Sequence, residues 1–274
     1  MRPVELASLP PGYAAIFDRA VEVARADERV RALWLSGSLA RGAADAASDL
    51  DLLIAVRDAD LAEFAQGWRE FLARITPTLI ARPLPFMPGS FYSVTPGRER
   101  IDLVVEPVSR LAHSIFRTRR VVVDKDGLDA QVPAAALAAP PSPERLGFLV
   151  EEFFRDYGMF DVGATRGDLL LGNEATHFLR GLLYQLFCEA NAPLPSTGIK
   201  QWSAKLSSAQ REALEALPTG GRSWGEIVAA HEAVARAFVT HAREILAKYG
   251  VSWPTELERA TRSHLRAHGL PALD

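Results

Sequence analysis

The sequence predicts an α+β protein in which a first half of mixed strands and helices is followed by an α-helical bundle. Hydrophobic residues of the first half change between helical spacing and short strand-like runs, whereas only helical spacing remains after a proline-rich stretch. The chain has 274 residues, of which 48% are hydrophobic. That length suits one large or two modest domains, and that composition allows a sizeable core.

Two helices and several strands are predicted in the first half. Apolar side chains recur on one helical face between about residues 11 and 26, and again between about residues 59 and 73. Runs rich in β-branched and aromatic residues predict the strands. These lie near residues 31–36, 50–56, 78–81, 90–95, 99–106 and 119–123.

The stretch Pro133–Pro143 divides the chain, because proline withholds a backbone donor and does not easily join a sheet or a helix. We therefore expect a first domain over residues 1–132, a linker over residues 133–143 and a helical domain over residues 144–274. Helices of the second domain are expected near residues 143–160, 166–191, 198–205, 207–216, 223–249 and 254–268.

Polar residues that favour helix caps precede several of these helices. Ser142 stands before Pro143, and proline suits the first helical position. The spacing of a side-chain cap or a capping box recurs farther along the chain. It is found at Ser207 with Gln210, at Ser223 with Glu226 and at Thr165 with Asp168.

The composition argues against several classes of protein, among them nucleic-acid-binding, disulfide-rich and membrane proteins. The formal net charge of −3 does not predict a nucleic-acid surface, and the densest basic run, Arg117–Arg120, is interpreted as a solvated strand edge. Cys188 is the single cysteine, so neither a disulfide framework nor a thiolate zinc site is expected. The sequence shows neither a signal-peptide pattern nor an apolar run of about 20 residues, so we expect a cytoplasmic protein without a membrane partner.

Asp49 and Asp51 are the most informative residues of the chain. They open a predicted strand at alternate positions, so both side chains point to one face of the sheet. The preceding strand ends at Gly37 and Ser38. Two carboxylates held so close repel one another unless protons or a cation lie between them. Mg²⁺ fits such a site, because it takes oxygen ligands and leaves room for phosphate oxygens.

This constellation resembles the nucleotidyltransferase superfamily that includes DNA polymerase β and the aminoglycoside and lincosamide nucleotidyltransferases. The family pattern is an apolar strand, Gly-Ser, a short helix that often carries arginine, Asp-x-Asp on the next strand and a third carboxylate on a later strand. The matching residues are Gly37, Ser38, Arg41, Asp49, Asp51 and then Asp102 within Arg100–Val105. The resemblance implies a mixed β-sheet flanked by helices, followed by a C-terminal α-helical bundle that holds the acceptor.

The resemblance also implies a reaction. The enzyme would move a nucleoside monophosphate, expected to be AMP from ATP, to a hydroxyl of a small acceptor such as an aminoglycoside or lincosamide antibiotic. Asp49, Asp51 and Asp102 would be the catalytic residues and would hold two Mg²⁺ ions. Asp102 would also be the general base, as the third carboxylate is in several relatives. Glu174, in the helical half, is a second candidate for the base.

Gly37, Ser38 and Arg41 are expected to bind the nucleoside triphosphate. Glycine lets the backbone approach phosphate closely, the serine donates from its hydroxyl and amide, and the short helix that they begin favours anions at its N-terminus. Arg41 follows one turn later. Its guanidinium either contacts phosphate oxygens or pairs with Asp45 or Asp49.

A further cation is expected from the helical half. The segment over residues 198–206 resembles one in which relatives carry a lysine that reaches the triphosphate. Lys200 is the better match and Lys205 is the alternative. His264 and His268 lie four residues apart on a predicted helix, but the sequence shows no acidic third ligand, so they are interpreted as a solvated pair.

Two other functions stay open. The chain could be a binding module, like some antitoxins, that uses the fold for partner contact, although three retained carboxylates and a large helical half argue against it. It could also transfer the nucleotide to a protein or to an RNA end, and its weak basic character argues against RNA. The sequence does not decide which nucleotide is used, which acceptor is modified or whether a homodimer forms.

Overall fold

The computed structural model describes residues 3–135, 139–194 and 200–273. The chain divides into two compact units, Met1–Leu137 and Ala138–Asp274. The proline-rich stretch spans this boundary, and its residues 136–138 lie outside the described residues. We describe each unit by itself, because each has its own hydrophobic core.

The first unit is built on a six-stranded sheet, and its strand order explains how distant acidic residues meet. The strands are β1 (Val30–Leu35), β2 (Leu50–Val56), β3 (Ile80–Pro83), β4 (Ser90–Val94), β5 (Arg100–Pro107) and β6 (Arg120–Asp124). Their order is β3-β4-β5-β2-β1-β6. The β2–β5 pair is parallel and the other pairs are antiparallel, which confirms the predicted mixed sheet.

Alternate side chains of a strand point to opposite faces of the sheet, and in the central strands β1 and β2 both sets are largely buried. Helices α1 (Gly12–Ala26) and α3 (Leu61–Ile75) pack on the face that carries Leu33 and Leu35. The opposite face carries Ala32, Trp34, Leu53 and Ala55, and it is covered by Leu111 and Leu128 of two 3₁₀ turns. The short helix α2 (Gly37–Ala40) follows β1 directly.

The second unit is helical, as predicted. Its helices are α4 (Pro143–Gly158), α5 (Phe160–Arg166), α6 (Leu169–Ala190), α7 (Ser208–Glu215), α8 (Trp224–Lys248) and α9 (Thr255–Ala267). Helices α4 and α8 join in an aromatic core in which Phe153 and Phe238 stack with ring centroids 3.9 Å apart. None of the helices in the described ranges combines the length and apolar character that crossing a bilayer requires.

Most of the predicted caps are confirmed, and one is wrong. Ser142 accepts a hydrogen bond from the backbone of α4, and the capping boxes at α7 and α8 are both formed. Thr165 does not cap α6, because it lies inside the additional helix α5, which the sequence analysis did not separate. Asp168 is the cap and accepts from the amides of Leu170 and Leu171. Of the helix expected over 198–205, residues 198 and 199 lie outside the described part, and a 3₁₀ turn covers Ser203–Lys205.

Candidate active site

The parallel pairing of β2 with β5 brings two of the expected carboxylates together. In this register Asp51 lies opposite Asp102, and partnered residues on adjacent strands point to the same side of a sheet. Both side chains line a cavity of about 780 Å³ in the first unit. Gly37 and Arg41 line the same cavity, so four of the expected site residues meet there.

Gly37 lies directly against the Asp51 carboxylate. Its φ is +57°, in the left-handed region, and a Cβ at this position would come within 1.8 Å of Asp51 Oδ2. The amide of Ser36 donates to the carbonyl oxygen of Asp51 at 3.0 Å, which fixes the turn beside β2. Only glycine leaves both the backbone conformation and the carboxylate position undisturbed here.

Two polar atoms next to this turn are buried without a hydrogen-bond partner among the described residues. They are Ser38 Oγ and Arg41 Nε. Burial of an unsatisfied donor is costly, so such atoms usually mark a place where a ligand or water is bound. The carboxylate of Asp45, one alternative partner for Arg41, instead contacts the amide of Ala47 and the hydroxyl of Ser48.

Asp49 lies just before β2 and pairs with Arg100, which was not among the predicted site residues. Its Oδ1 accepts a hydrogen bond from Arg100 Nε at 2.5 Å, and Arg100 Nη2 donates to the carbonyl of Ala47 at 2.6 Å. Arg100 is the first residue of β5, two positions before Asp102. The same alternation that predicted Asp49 beside Asp51 also predicts Arg100 beside Asp102, and thus near Asp49.

Three residues of the basic run Arg117–Arg120 are exposed, in agreement with the predicted solvated edge, and Arg119 is the exception. Arg117 lines the cavity with Asp51 and Asp102. Arg119 is buried, with 3% of its side chain exposed, and it pairs with Glu106 at 3.4 Å. Its guanidinium also lies 4.7 Å from the ring centroid of Trp34. Burial lowers the pKa of Arg119, and the Glu106 carboxylate opposes that shift.

The expected residues of the helical half belong to the second unit. Lys200 is exposed there. Glu174 is exposed on α6 and borders a cavity of about 340 Å³, together with Asp156 and Phe178. Burial raises the pKa of Asp156, whose Oδ2 has no hydrogen-bond partner among the described residues.

Comparison with known proteins identifies a family for this chain. Residues 13–268 match the model of a family described as streptomycin adenylyltransferase. No curated protein matches the sequence. The structure is similar to an aminoglycoside 6-adenyltransferase from Bacillus subtilis, with 15% identity, a TM-score of 0.43 and coverage of 93% of this chain and 97% of that one.

A second solved structure, a nucleotidyltransferase-like protein from Exiguobacterium sibiricum, has 13% identity and a TM-score of 0.34. That alignment covers 86% of this chain and 74% of the other. The family match extends over nearly the whole chain and includes every carboxylate of the cavity. The chain therefore belongs to the streptomycin adenylyltransferase family, and it is a nucleotidyltransferase.

Proposed function

We propose that this protein transfers AMP from ATP to a hydroxyl group of an aminoglycoside-type antibiotic. The observation that carries the proposal is the register of β2 and β5, in which Asp51 lies opposite Asp102. The Asp51 carboxylate also lies directly against Gly37. The description of the matching family, streptomycin adenylyltransferase, supports the choice of an adenylyl donor and of an aminoglycoside-type acceptor.

The residues present fit Mg²⁺. Asp51 and Asp102 offer hard oxygen donors from adjacent strands, and the missing Cβ of Gly37 leaves the space that the Asp51 carboxylate fills. Asp49, Asp51 and Asp102 would hold two ions. When bound, such ions neutralise charge on the attacking and leaving oxygens of a phosphoryl transfer.

The protein's own groups would hold the triphosphate. Ser38 Oγ and Arg41 Nε, both buried and unsatisfied, would donate to phosphate oxygens beside the glycine turn. On the resemblance of its segment to the family's lysine segment, Lys200 would supply one further cation.

Asp102 would move the proton. In the transfer, a bond forms between the acceptor oxygen and the α-phosphorus, and the bond from that phosphorus to the bridging oxygen of the β-phosphate breaks. Pyrophosphate leaves with the electron pair, and the hydroxyl proton passes to the Asp102 carboxylate. The Asp102 side chain lines the cavity, which is the position that such a role requires.

The helical unit, residues 144–274, would bind the acceptor. Aminoglycosides carry several ammonium groups, which carboxylates attract. The cavity bordered by Asp156 and Glu174 offers two carboxylates next to the aromatic ring of Phe178, and this combination suits a cationic sugar.

The test is a transfer assay with Mg²⁺, each labelled nucleoside triphosphate and a panel of aminoglycosides and lincosamides. We expect pyrophosphate release with ATP and an aminoglycoside, and loss of that release in Asp51→Asn and Asp102→Asn. Asp126→Asn is the matched control, since its carboxylate pairs with Arg31 on the surface. Nucleotide binding without transfer to any acceptor would instead favour a binding module.

The assignment of the lysine is tested separately. Lys200→Ala should raise the KM for ATP and lower kcat, whereas Lys205→Ala should leave both near the wild-type values. The reverse pattern would transfer the role to Lys205. If neither change affects the kinetics, the first unit holds the triphosphate without a lysine.

A further inference from the structure

Helix α5 and the C-terminal end of α9 bring three metal-ligating side chains together in the second unit. Asp161 Oδ2 lies 3.1 Å from His264 Nε2 and 3.9 Å from His268 Nε2. One ligand atom from each residue lies within 4.8 Å of the other two. The carboxylate is the acidic third partner that the sequence did not reveal, because it lies 103 positions before His264.

The tautomer of His268 suits a metal ligand. Its Nδ1 lies 2.9 Å from the backbone carbonyl of His264, which can only accept, so Nδ1 carries the proton. In the neutral ring Nε2 then presents a lone pair, and it faces Asp161 Oδ2. A hydrogen bond from the second ring nitrogen to a carbonyl is the usual support of a metal-bound histidine.

The spacing of the three atoms also suits an ion. Ligands about 2.0–2.1 Å from a tetrahedral Zn²⁺ stand roughly 3.3 Å apart. The Asp161 oxygen lies 3.1 Å and 3.9 Å from the two imidazole nitrogens, on either side of that value. The side chains of His264 and His268 are about half exposed, so small rotations can close the remaining difference. Two imidazoles and one carboxylate favour zinc, nickel or copper ions over Mg²⁺.

We propose that Asp161, His264 and His268 form a binding site for a divalent transition ion, with Zn²⁺ as its representative, that joins α5 to α9. In the metal-free protein His264 Nε2 donates a hydrogen bond to the Asp161 carboxylate. The ion takes the place of that hydrogen bond, and His264 then binds through Nε2 with its ring proton on Nδ1. Water completes the coordination, because the site is open to solvent.

The test is calorimetric titration of the purified full chain with Zn²⁺, with Mg²⁺ in large excess to occupy the carboxylates of the first unit. We expect one Zn²⁺ per chain and a rise in Tm with Zn²⁺ by mass action. Asp161→Asn, His264→Gln and His268→Gln should each weaken Zn²⁺ binding at least about tenfold. His113→Gln is the matched control, since this exposed histidine lies in the first unit.

X-ray absorption at the zinc edge identifies the ligands independently of affinity. The wild-type complex should show two imidazole ligands, and the His268→Gln complex should show fewer. Equal Zn²⁺ binding by all the variants, or a zinc environment without imidazole, would overturn the proposal. These outcomes do not depend on nucleotide transfer, so they are distinct from failure of the proposed activity.

Discussion

The backbone conformation of Gly37 determines where the Asp51 carboxylate can lie. Its φ of +57° is unfavourable for a residue with a Cβ, and the Cβ would also collide with Asp51 Oδ2. We therefore expect Gly37→Ala to displace the Asp51 carboxylate and to lower kcat at least about tenfold, while about 1 kcal/mol of stability is lost to backbone strain. Steady-state kinetics and thermal unfolding measure the two effects.

Gly127 supplies the matched control for that substitution. Its φ is +70°, and apart from its chain neighbours no atom of the described residues lies within 4 Å of the position that a Cβ would take. Gly127→Ala should therefore lose similar stability and keep its activity. Equal activity of the two variants would show that the Asp51 carboxylate does not need the space beside Gly37.

His231 makes the second unit sensitive to acid. The ring is buried, stacks on Phe160 at 3.8 Å and lies 3.2 Å from Thr176 Oγ1. Burial lowers the pKa of His231 to about 3, whereas an unfolded histidine titrates near pH 6.5. Because the unfolded chain binds the proton more readily, stability is present above about pH 6.5 and is lost as the pH falls toward 3.

The expected size of this effect is about 2 kcal/mol between pH 7 and pH 5. We expect His231→Phe, which keeps an aromatic ring for the stack, to lose less stability than the wild type over this interval. Urea unfolding of both proteins at the two pH values measures the difference. An unchanged pH dependence in His231→Phe would mean that other groups cause the acid sensitivity.

The N-cap of helix α6 is Asp168, whereas the sequence pattern had also allowed Thr165 as the cap. Asp168 accepts from the amides of Leu170 and Leu171 at 3.1 Å each, and Thr165 lies exposed within the preceding helix α5. We expect Asp168→Ala to lower the free energy of unfolding by about 1 kcal/mol, as loss of a cap does. Thr165→Ala should change it by less than about 0.5 kcal/mol. If chemical denaturation showed a larger loss of unfolding free energy for Thr165→Ala than for Asp168→Ala, Thr165 would be the cap.

The parallel pairing of β2 with β5 is the element-scale feature on which the site depends. A strand's side chains alternate, so a slip of one residue would turn either Asp51 or Asp102 to the other face. The apolar residues of both strands hold the register, because they fill the core on either side.

At the scale of the whole molecule, each unit buries its own apolar side chains. We expect the fragment Met1–Leu137 to fold cooperatively and to bind ATP in the presence of Mg²⁺. A fragment of residues 1–118 should not fold stably, because it lacks β6 and leaves the paired edge of β1 open. Circular dichroism and nucleotide-dependent thermal shifts of the two fragments test this. A disordered longer fragment would show that the first unit needs the second to fold.

Local patterns in the sequence were enough to predict most of the elements and much of the site. The spacing of apolar residues predicted the strands and the long helices, because backbone geometry fixes those periods. The glycine turn and the alternation of Asp49 with Asp51 are likewise short-range features. The resemblance to the nucleotidyltransferases added the third carboxylate at Asp102, and Asp51 and Asp102 lie opposite one another in the structure.

Contacts between distant segments were decided only by tertiary structure. The burial of Arg119 against Trp34 and the approach of Asp161 to His264 each join residues far apart in the chain. A side chain's partner across such a separation depends on how whole elements pack, and neither its residue type nor its local spacing contains that information. The sequence by itself therefore determined the elements and the chemical types at the site, and packing determined which charges meet.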